Sequence, residues 1–256
     1  MKIISWNVNG LRAALSKDAF KPVFDLDPDV LCLQEIKVKP EQLNESQVGT
    51  FSAYEAIWNS AQRPGYSGVA TFAKNSPQLV DYSLGEERFD IEGRSIRTDY
   101  GNLALFNLYV PNGQRDQGRL DYKLDFYEKL LDVCDQLLED GKQVILFGDM
   151  NTAHQQEIDL MNPKQNQKTS GFLHEERAWI DKYLAHGFVD IYREVHGERV
   201  QFSWWTYRMN ARARNVGWRL DYFLVSKDLV GDIVEVEIFD QIMGSDHCPI
   251  GLELRD

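Results

Sequence analysis

A chain of 256 residues, 43% hydrophobic and 12% aromatic, holds apolar material for one large core or at most two modest ones, so a single compact domain over residues 1–256 is expected. A formal charge of −12 and an isoelectric point near 4.9 exclude indiscriminate binding of polyanions, because long-range repulsion lowers both encounter rate and affinity. No apolar run approaches the roughly 20 residues a membrane span requires, and nothing at the start resembles a signal peptide, so a cytoplasmic setting without membrane attachment is expected.

In chain order, β-branched and apolar runs bounded by Gly, Asn, Asp or Pro predict strands over 3–8, 30–33 and 68–72, then over 103–110. Residues Leu120, Leu124, Tyr127, Leu131, Cys134 and Leu138 follow 3- and 4-residue spacings with Gly141 as a stop, which predicts a long amphipathic helix over 119–139. A strand over 144–147 follows, and Trp179, Ile180, Tyr183 and Leu184 before Gly187 predict a helix over 176–186. Strands over 220–225 and 233–239, and a last one after Pro249, complete the chain. Many strands with few long helices give an α/β fold of two packed sheets flanked by helices. Cys32, Cys134 and Cys248 stand far apart with no Cys-x-x-Cys pair, as expected of buried free thiols.

A reader of nucleic acid with this charge must concentrate its cations. Arg208, Arg212, Arg214 and Arg219 lie in a stretch without acidic residues, and Lys164 and Lys168 in another; each cluster reads as a contact surface or as a solvated face. One longer echo joins the halves: strand 3–8 leads to Asn7-Val8-Asn9, and strand 144–147 to Asp149-Met150-Asn151. The two-residue period of a strand turns both polar residues of each triplet to one side, so the two tips could converge.

Further polar groups stand at strand ends. Glu35 directly follows Leu31-Cys32-Leu33-Gln34, Asp221 lies inside an apolar strand, and Asp246-His247 precede the last strand. Taken singly, Asp221 could pair with a buried Arg, Asp246 cap a turn and His247 be a satisfied core histidine. Taken jointly they suit phosphodiester hydrolysis, which needs hard-oxygen ligands for a cation such as Mg2+, an oriented water and donors for the phosphorus oxygens.

Trp6-Asn7-Val8-Asn9-Gly10-Leu11-Arg12, Leu33-Gln34-Glu35-Ile36-Lys37, Tyr109-Val110-Pro111-Asn112, Gly148-Asp149-Met150-Asn151, Val216-Gly217-Trp218-Arg219-Leu220-Asp221-Tyr222 and Gly244-Ser245-Asp246-His247-Cys248-Pro249 together resemble the ordered motif set of the exonuclease III family of apurinic/apyrimidinic endonucleases, within the endonuclease/exonuclease/phosphatase superfamily. The resemblance spans nearly the whole chain and implies a four-layered, DNase I-like α/β sandwich with its site where strand ends of both halves meet. It implies Mg2+, with Mn2+ as a substitute, bound principally by Glu35 with Asn7 and Asp246 nearby; Asp149, Asn151 and His247 complete the implied metal-site set. It implies that Asp149 orients or deprotonates the attacking water, that Asn151 donates to the phosphate, that Asp221 positions His247, and that Tyr109 touches the scissile phosphate or assists the leaving oxygen. The choice of base between Asp149 and His247 stays open.

The same resemblance gives Asn112 and Asn166 to the flanking backbone, makes Phe202-Ser203-Trp204-Trp205-Thr206-Tyr207 with Trp218 and Leu220 a pocket for an extruded abasic sugar, and sets Arg208 and Arg115 to push into the duplex. Thr169 stands where some relatives carry Asn, which leaves the balance of endonuclease and exonuclease activity open. The expected protein is a monomeric DNA repair hydrolase acting on double-stranded DNA at abasic sites and blocked 3′ ends, at the nucleoid or, in a eukaryote, in the nucleus. The alternatives are a phosphoesterase of inositol phosphates or phospholipids and a catalytically dead scaffold.

Overall fold

The computed structural model describes residues 1–114 and 116–255. Among them lie twelve strands: β1 (Lys2–Asn7), β2 (Val30–Gln34), β3 (Glu55–Asn59), β4 (Val69–Ala73), β5 (Leu79–Asp81), β6 (Ser95–Tyr100), β7 (Leu103–Tyr109), β8 (Gln143–Asp149), β9 (Phe188–Asp190), β10 (Asp221–Ser226), β11 (Ile233–Ile238) and β12 (Ile250–Leu254). The α-helices are α1 (Leu11–Ser16), α2 (Lys21–Phe24), α3 (Glu45–Gly49), α4 (Glu87–Asp90), α5 (Gln117–Glu139), α6 (Pro163–Asn166), α7 (His174–Ala185) and α8 (Ile191–His196). No helix among these residues is long and apolar enough to cross a membrane.

The strands form two six-stranded sheets, in the orders β11-β12-β1-β2-β4-β3 and β5-β6-β7-β8-β10-β9. Each is mixed. The central pairs β1/β2 and β7/β8 run parallel, and every other neighbouring pair runs antiparallel.

Continuous apolar runs form the central strands because both of their faces are covered. In β8, Ile145 and Phe147 join Ile3, Cys32, Phe223 and Ile250 in the core between the sheets. Val144 and Leu146 of the same strand instead pack with Phe126, Leu130 and Tyr183 of α5 and α7. On the far side, Ile4, Trp6, Leu31 and Leu33 pack with Leu11 of α1, Val23 of α2 and Phe51. The result is four layers, helix, sheet, sheet, helix, as expected. All three cysteines are free and buried.

Helix α5 starts two residues before its expected boundary because the Asp116 carboxylate caps it, accepting from the Arg119 amide at 2.8 Å. Helix α7 likewise starts at His174, since Glu176 is its third residue and reaches back to accept from the Leu173 amide at 3.0 Å.

The sheets are also held in register by polar groups. Asn107 of β7, 1% exposed, donates to the Ala70 carbonyl at 2.9 Å, and Gln34 of β2 donates to Asn107 Oδ1 at 2.7 Å and to Ser5 Oγ at 2.9 Å. This buried clasp ends one residue before Glu35 and therefore fixes the height of that carboxylate against β7.

Gly148 sets the other half. Its φ is 122°, and a Cβ there would stand 2.1 Å from the Leu108 carbonyl oxygen, so only glycine lets β8 run this close to β7 as it delivers Asp149. Gly148→Ala is expected to destabilise the fold by about 2–4 kcal/mol, read from urea denaturation; an unshifted midpoint would contradict so close an approach.

Candidate active site

Parallel pairing at the centre of each sheet brings the ends of β1, β2, β7 and β8 to one edge, where Asp221 at the start of β10 and the turn before β12 join them. Asn7 ties the halves together: its Nδ2 donates to Asp149 Oδ2 at 2.8 Å and to Glu35 Oε2 at 3.1 Å. The two tips do converge, but by different geometry from the one expected. The strands end at Asn7 and Asp149, and Asn9 (φ 45°) and Asn151 (φ 50°) then turn into the left-handed region that asparagine tolerates.

A line of buried groups crosses the site. Asp221 Oδ2 accepts from Ser203 Oγ at 2.6 Å and lies 2.8 Å from His247 Nδ1, while His247 Nε2 faces Asp149 Oδ2 at 3.7 Å. Burial opposes charge on His247, but the Asp221 and Asp149 carboxylates outweigh it and hold the imidazole protonated well above its ordinary range. Burial foremost raises the Asp149 carboxyl; the His247 charge pulls it down and the Asp221 charge lifts it again, leaving it above the usual carboxylate range. Asp149, Asp221 and His247 offer ligand atoms within 4.8 Å of one another, and here the imidazolium supplies the positive charge between the two carboxylates.

Beside this line stands a second set of oxygens. Glu35 follows β2 with φ 54°, its Oε1 2.8 Å from Lys37 Nζ. Lys37 Nζ also donates to Asn9 Oδ1, whose amide donates to Asp246 Oδ1 at 3.0 Å. Trp204 Nε1 donates to Asp246 Oδ2 at 3.2 Å. Burial tends to raise the Asp246 carboxyl, but the His247 charge and the Asn9, Trp204 and Ser245 donors bring it below its ordinary value. Two carboxylates with amide oxygens, all hard donors already facing cationic or N–H groups, fit a divalent ion that prefers oxygen.

Glu35, Asp149, Asp246 and His247 line one cleft of about 500 Å³, together with Tyr109, Asn112, Asn166, Trp204 and Trp218. Trp204 and Trp218 meet edge to face, centroids 6.2 Å apart at 88°, and form a ring-faced wall. Burial above all, then the Glu35 charge, pushes the Tyr109 hydroxyl well above its ordinary range, so it stays a protonated donor. Arg94, fully buried, stacks 4.7 Å over the Tyr109 ring and donates to its carbonyl at 2.9 Å. A larger hollow of about 750 Å³ adjoins the cleft and shares Asn112 and Gln114, but its Glu92 is taken by Arg94 and Arg119. The titrating line belongs to the smaller cleft.

Other expected residues stand differently. The Asn151 amide hydrogens point to the Val110 carbonyl at 2.8 Å and Asp149 Oδ2 at 3.2 Å, so this side chain orients Asp149, while Asn112 Nδ2 donates to Asn151 Oδ1 at 3.1 Å. Asn166 donates to the Asn162 carbonyl at 3.0 Å and receives from Thr169 Oγ1 at 3.3 Å, shaping its own loop. Arg208 is exposed and outside the cleft lining; Arg115 lies outside the described residues. Trp205, 3% exposed, belongs to the inner core rather than the pocket.

The basic stretch needs correcting. Arg219 is wholly buried between Asp159 and Asp190, and Arg212 donates to the carbonyls of Ser245, Asp240 and Ile242; both brace the fold, leaving Arg208 and Arg214 on the surface. Two groups escaped sequence reasoning. Ser203 fixes Asp221, and a Ser inside an otherwise aromatic buried run was the one signal for it. Buried Lys123 donates to the Asn151 carbonyl at 2.7 Å and to Glu176 at 2.6 Å, with no sequence signal beyond a cation on an apolar helix face.

The sequence profile of the Endonuclease/Exonuclease/phosphatase family matches residues 4–247. The chain is 44% identical over 254 residues to an exodeoxyribonuclease of Bacillus subtilis (strain 168), covering 98% of both chains. It is 41% identical over 256 residues to a DNA-(apurinic or apyrimidinic site) endonuclease of Dictyostelium discoideum, covering 98% of this chain and 70% of that protein. Among solved structures, a 3′ phosphatase from Neisseria bound to product DNA hairpin superposes over 100% of both chains with a TM-score of 0.89 at 26% identity.

Proposed function

This chain belongs to the Endonuclease/Exonuclease/phosphatase family, and from that premise we propose that it is a Mg2+-dependent DNA repair nuclease that incises the backbone 5′ to abasic sites and trims blocked 3′ ends. The observation that carries the reading is the buried line Asp221–His247–Asp149 opening beside Glu35 and Asp246 into a cleft walled by Trp204 and Trp218. Residues 1–256 act as one domain, since one inner core serves both sheets. The protein acts as a monomer where cellular DNA lies, and Mn2+ can replace Mg2+.

In this reading Glu35 and Asp246, helped by the Asn7 and Asn9 amides, would hold the divalent ion, which when bound would offset negative charge on the phosphate oxygens. His247 carries its proton on a ring held from both sides by carboxylates, so at neutral pH it has no lone pair to accept another. Asp149, a carboxylate of raised basicity, takes the proton of the attacking water. As the water oxygen bonds to phosphorus and the bond from phosphorus to the 3′ oxygen breaks, the His247 N–H faces the charge gathering on the phosphoryl oxygens, and the Tyr109 hydroxyl donates to the departing 3′ oxygen, which takes up a proton from solvent. The Trp204–Trp218 wall occupies volume that a base would need, so a sugar without a base enters more readily.

Duplex oligonucleotides carrying one synthetic abasic site test the reading, with undamaged duplex, 3′-phosphate duplex and a soluble inositol phosphate in parallel. Incision at the abasic site and removal of the 3′-phosphate are expected, both abolished by EDTA and restored by Mg2+. Equal nicking of undamaged duplex would defeat the selectivity, and release of phosphate from the inositol compound alone would move the chain to a different branch of its family.

A further inference from the structure

Among the described residues, Lys37 is the one ammonium in contact with the oxygens that would hold a divalent ion. Its Nζ lies 2.8 Å from Glu35 Oε1 and donates to Asn9 Oδ1, while Asn7 covers Glu35 Oε2. The contact is built into the backbone. Both Glu35 and Lys37 have φ 54°, a conformation that side-chain-bearing residues adopt at a cost, and hydrogen bonds from the Gly10 amide to the Glu35 carbonyl and from the Lys37 amide to the Ser67 carbonyl hold it. The two left-handed residues fold the chain back so that a lysine two positions on meets the glutamate. Its side chain is one-third exposed, so it can leave Glu35 for solvent without unfolding anything.

We infer that Lys37 is a resident competitor at the cation site. Its ammonium holds Glu35 and Asn9 in place and must yield contact when a divalent ion arrives, so the protein binds metal more weakly than its oxygen donors alone would. An ordinary surface ion pair would contribute little and affect no ligand. Here the pair shares its carboxylate with the site, and like charges a few ångströms apart repel even with solvent screening. The inference rests on Glu35 being a metal ligand, and its test separates the two ideas.

Protein stripped of metal by chelation and dialysis is titrated with MnCl2 alone in a calorimeter, without DNA. Lys37→Gln is expected to bind Mn2+ roughly tenfold more tightly than wild type and Lys37→Arg within about twofold of it, the scale of one screened charge. In a Glu35→Gln background, the Lys37→Gln change should tighten binding clearly less than it does in the wild-type background, because the competition for that carboxylate is gone and only screened repulsion remains. Thermal melts confirm that each variant is folded, and Lys37→Met removes the same charge should Lys37→Gln fail to fold. Glu35-dependent binding that Lys37→Gln leaves unchanged or weakens overturns this inference alone. Binding indifferent to Glu35→Gln, or none at all, overturns the metal assignment and this inference with it.

Discussion

Asp149→Asn is expected to lower kcat for abasic-site incision by roughly 10²- to 10⁴-fold, the scale of losing an acid–base group, while leaving the melting temperature unchanged or higher. The substitution keeps size and shape, and its single amide oxygen can replace one of the two carboxylate oxygens, accepting either from Asn7 at Oδ2 or from the Asn151 backbone at Oδ1. It removes the proton acceptor. Stability should not fall, because a carboxyl raised in the fold above its ordinary range opposes folding when ionised, and an uncharged amide relieves that. His247 retains Asp221 as its partner at 2.8 Å, so the imidazolium is not left bare. Single-turnover incision at saturating Mg2+ paired with a thermal melt reads both halves. A folded variant within tenfold of wild-type turnover would remove Asp149 from the role of base and return it to His247.

What the sequence disclosed depended on whether a residue's job was local. The central strands were legible because both faces are apolar, and helices α5 and α7 because their buried residues repeat at helical spacing. Strand β6 was not: Arg97 and Asp99 break the apolar pattern, and only the fold shows that they pair with each other, two residues apart, and that Asp99 also takes Lys142. Strands β5 and β9 have three residues each, too few for a two-residue period to register. In the site, the identity of the polar tips was legible because charge at the end of an apolar strand is conspicuous. Their division of labour was not, since hydrogen-bond partners such as Ser203 and Lys123 come from chain segments whose proximity no local pattern encodes.

Arg219 shows the same limit at its largest energetic stake. Arg219→Met is expected to destabilise the protein by about 3–5 kcal/mol, because removing one partner strands buried charge. The guanidinium donates to Asp159 at 2.7 Å and to Asp190 at 2.6 Å, stacks 4.2 Å over Tyr222, and shares Asp159 with Arg193. Two cations and two carboxylates thus form a neutral group inside the fold. It fastens the loop after β8 to the segment before β10, where the Arg219 amide donates to the Asp159 carbonyl at 2.7 Å and Leu160 pairs with Trp218. Loss of the group should therefore loosen the Trp218 wall as well, raising cleavage of undamaged duplex relative to abasic duplex. Acid provides an independent check. Burial alone would raise the Asp159 carboxyl, but Arg219 and Arg193 draw it down to about 2, below the ordinary value of 3.8. Its stabilising share is therefore fully present above the ordinary value and is lost as pH falls through the folded one. The stability gap between wild type and Asp159→Asn, read by urea denaturation, should stay constant from about pH 5 to 8 and close only on approach to about pH 2. A gap that already narrows near neutrality would mean that the carboxylate is not held by these two arginines.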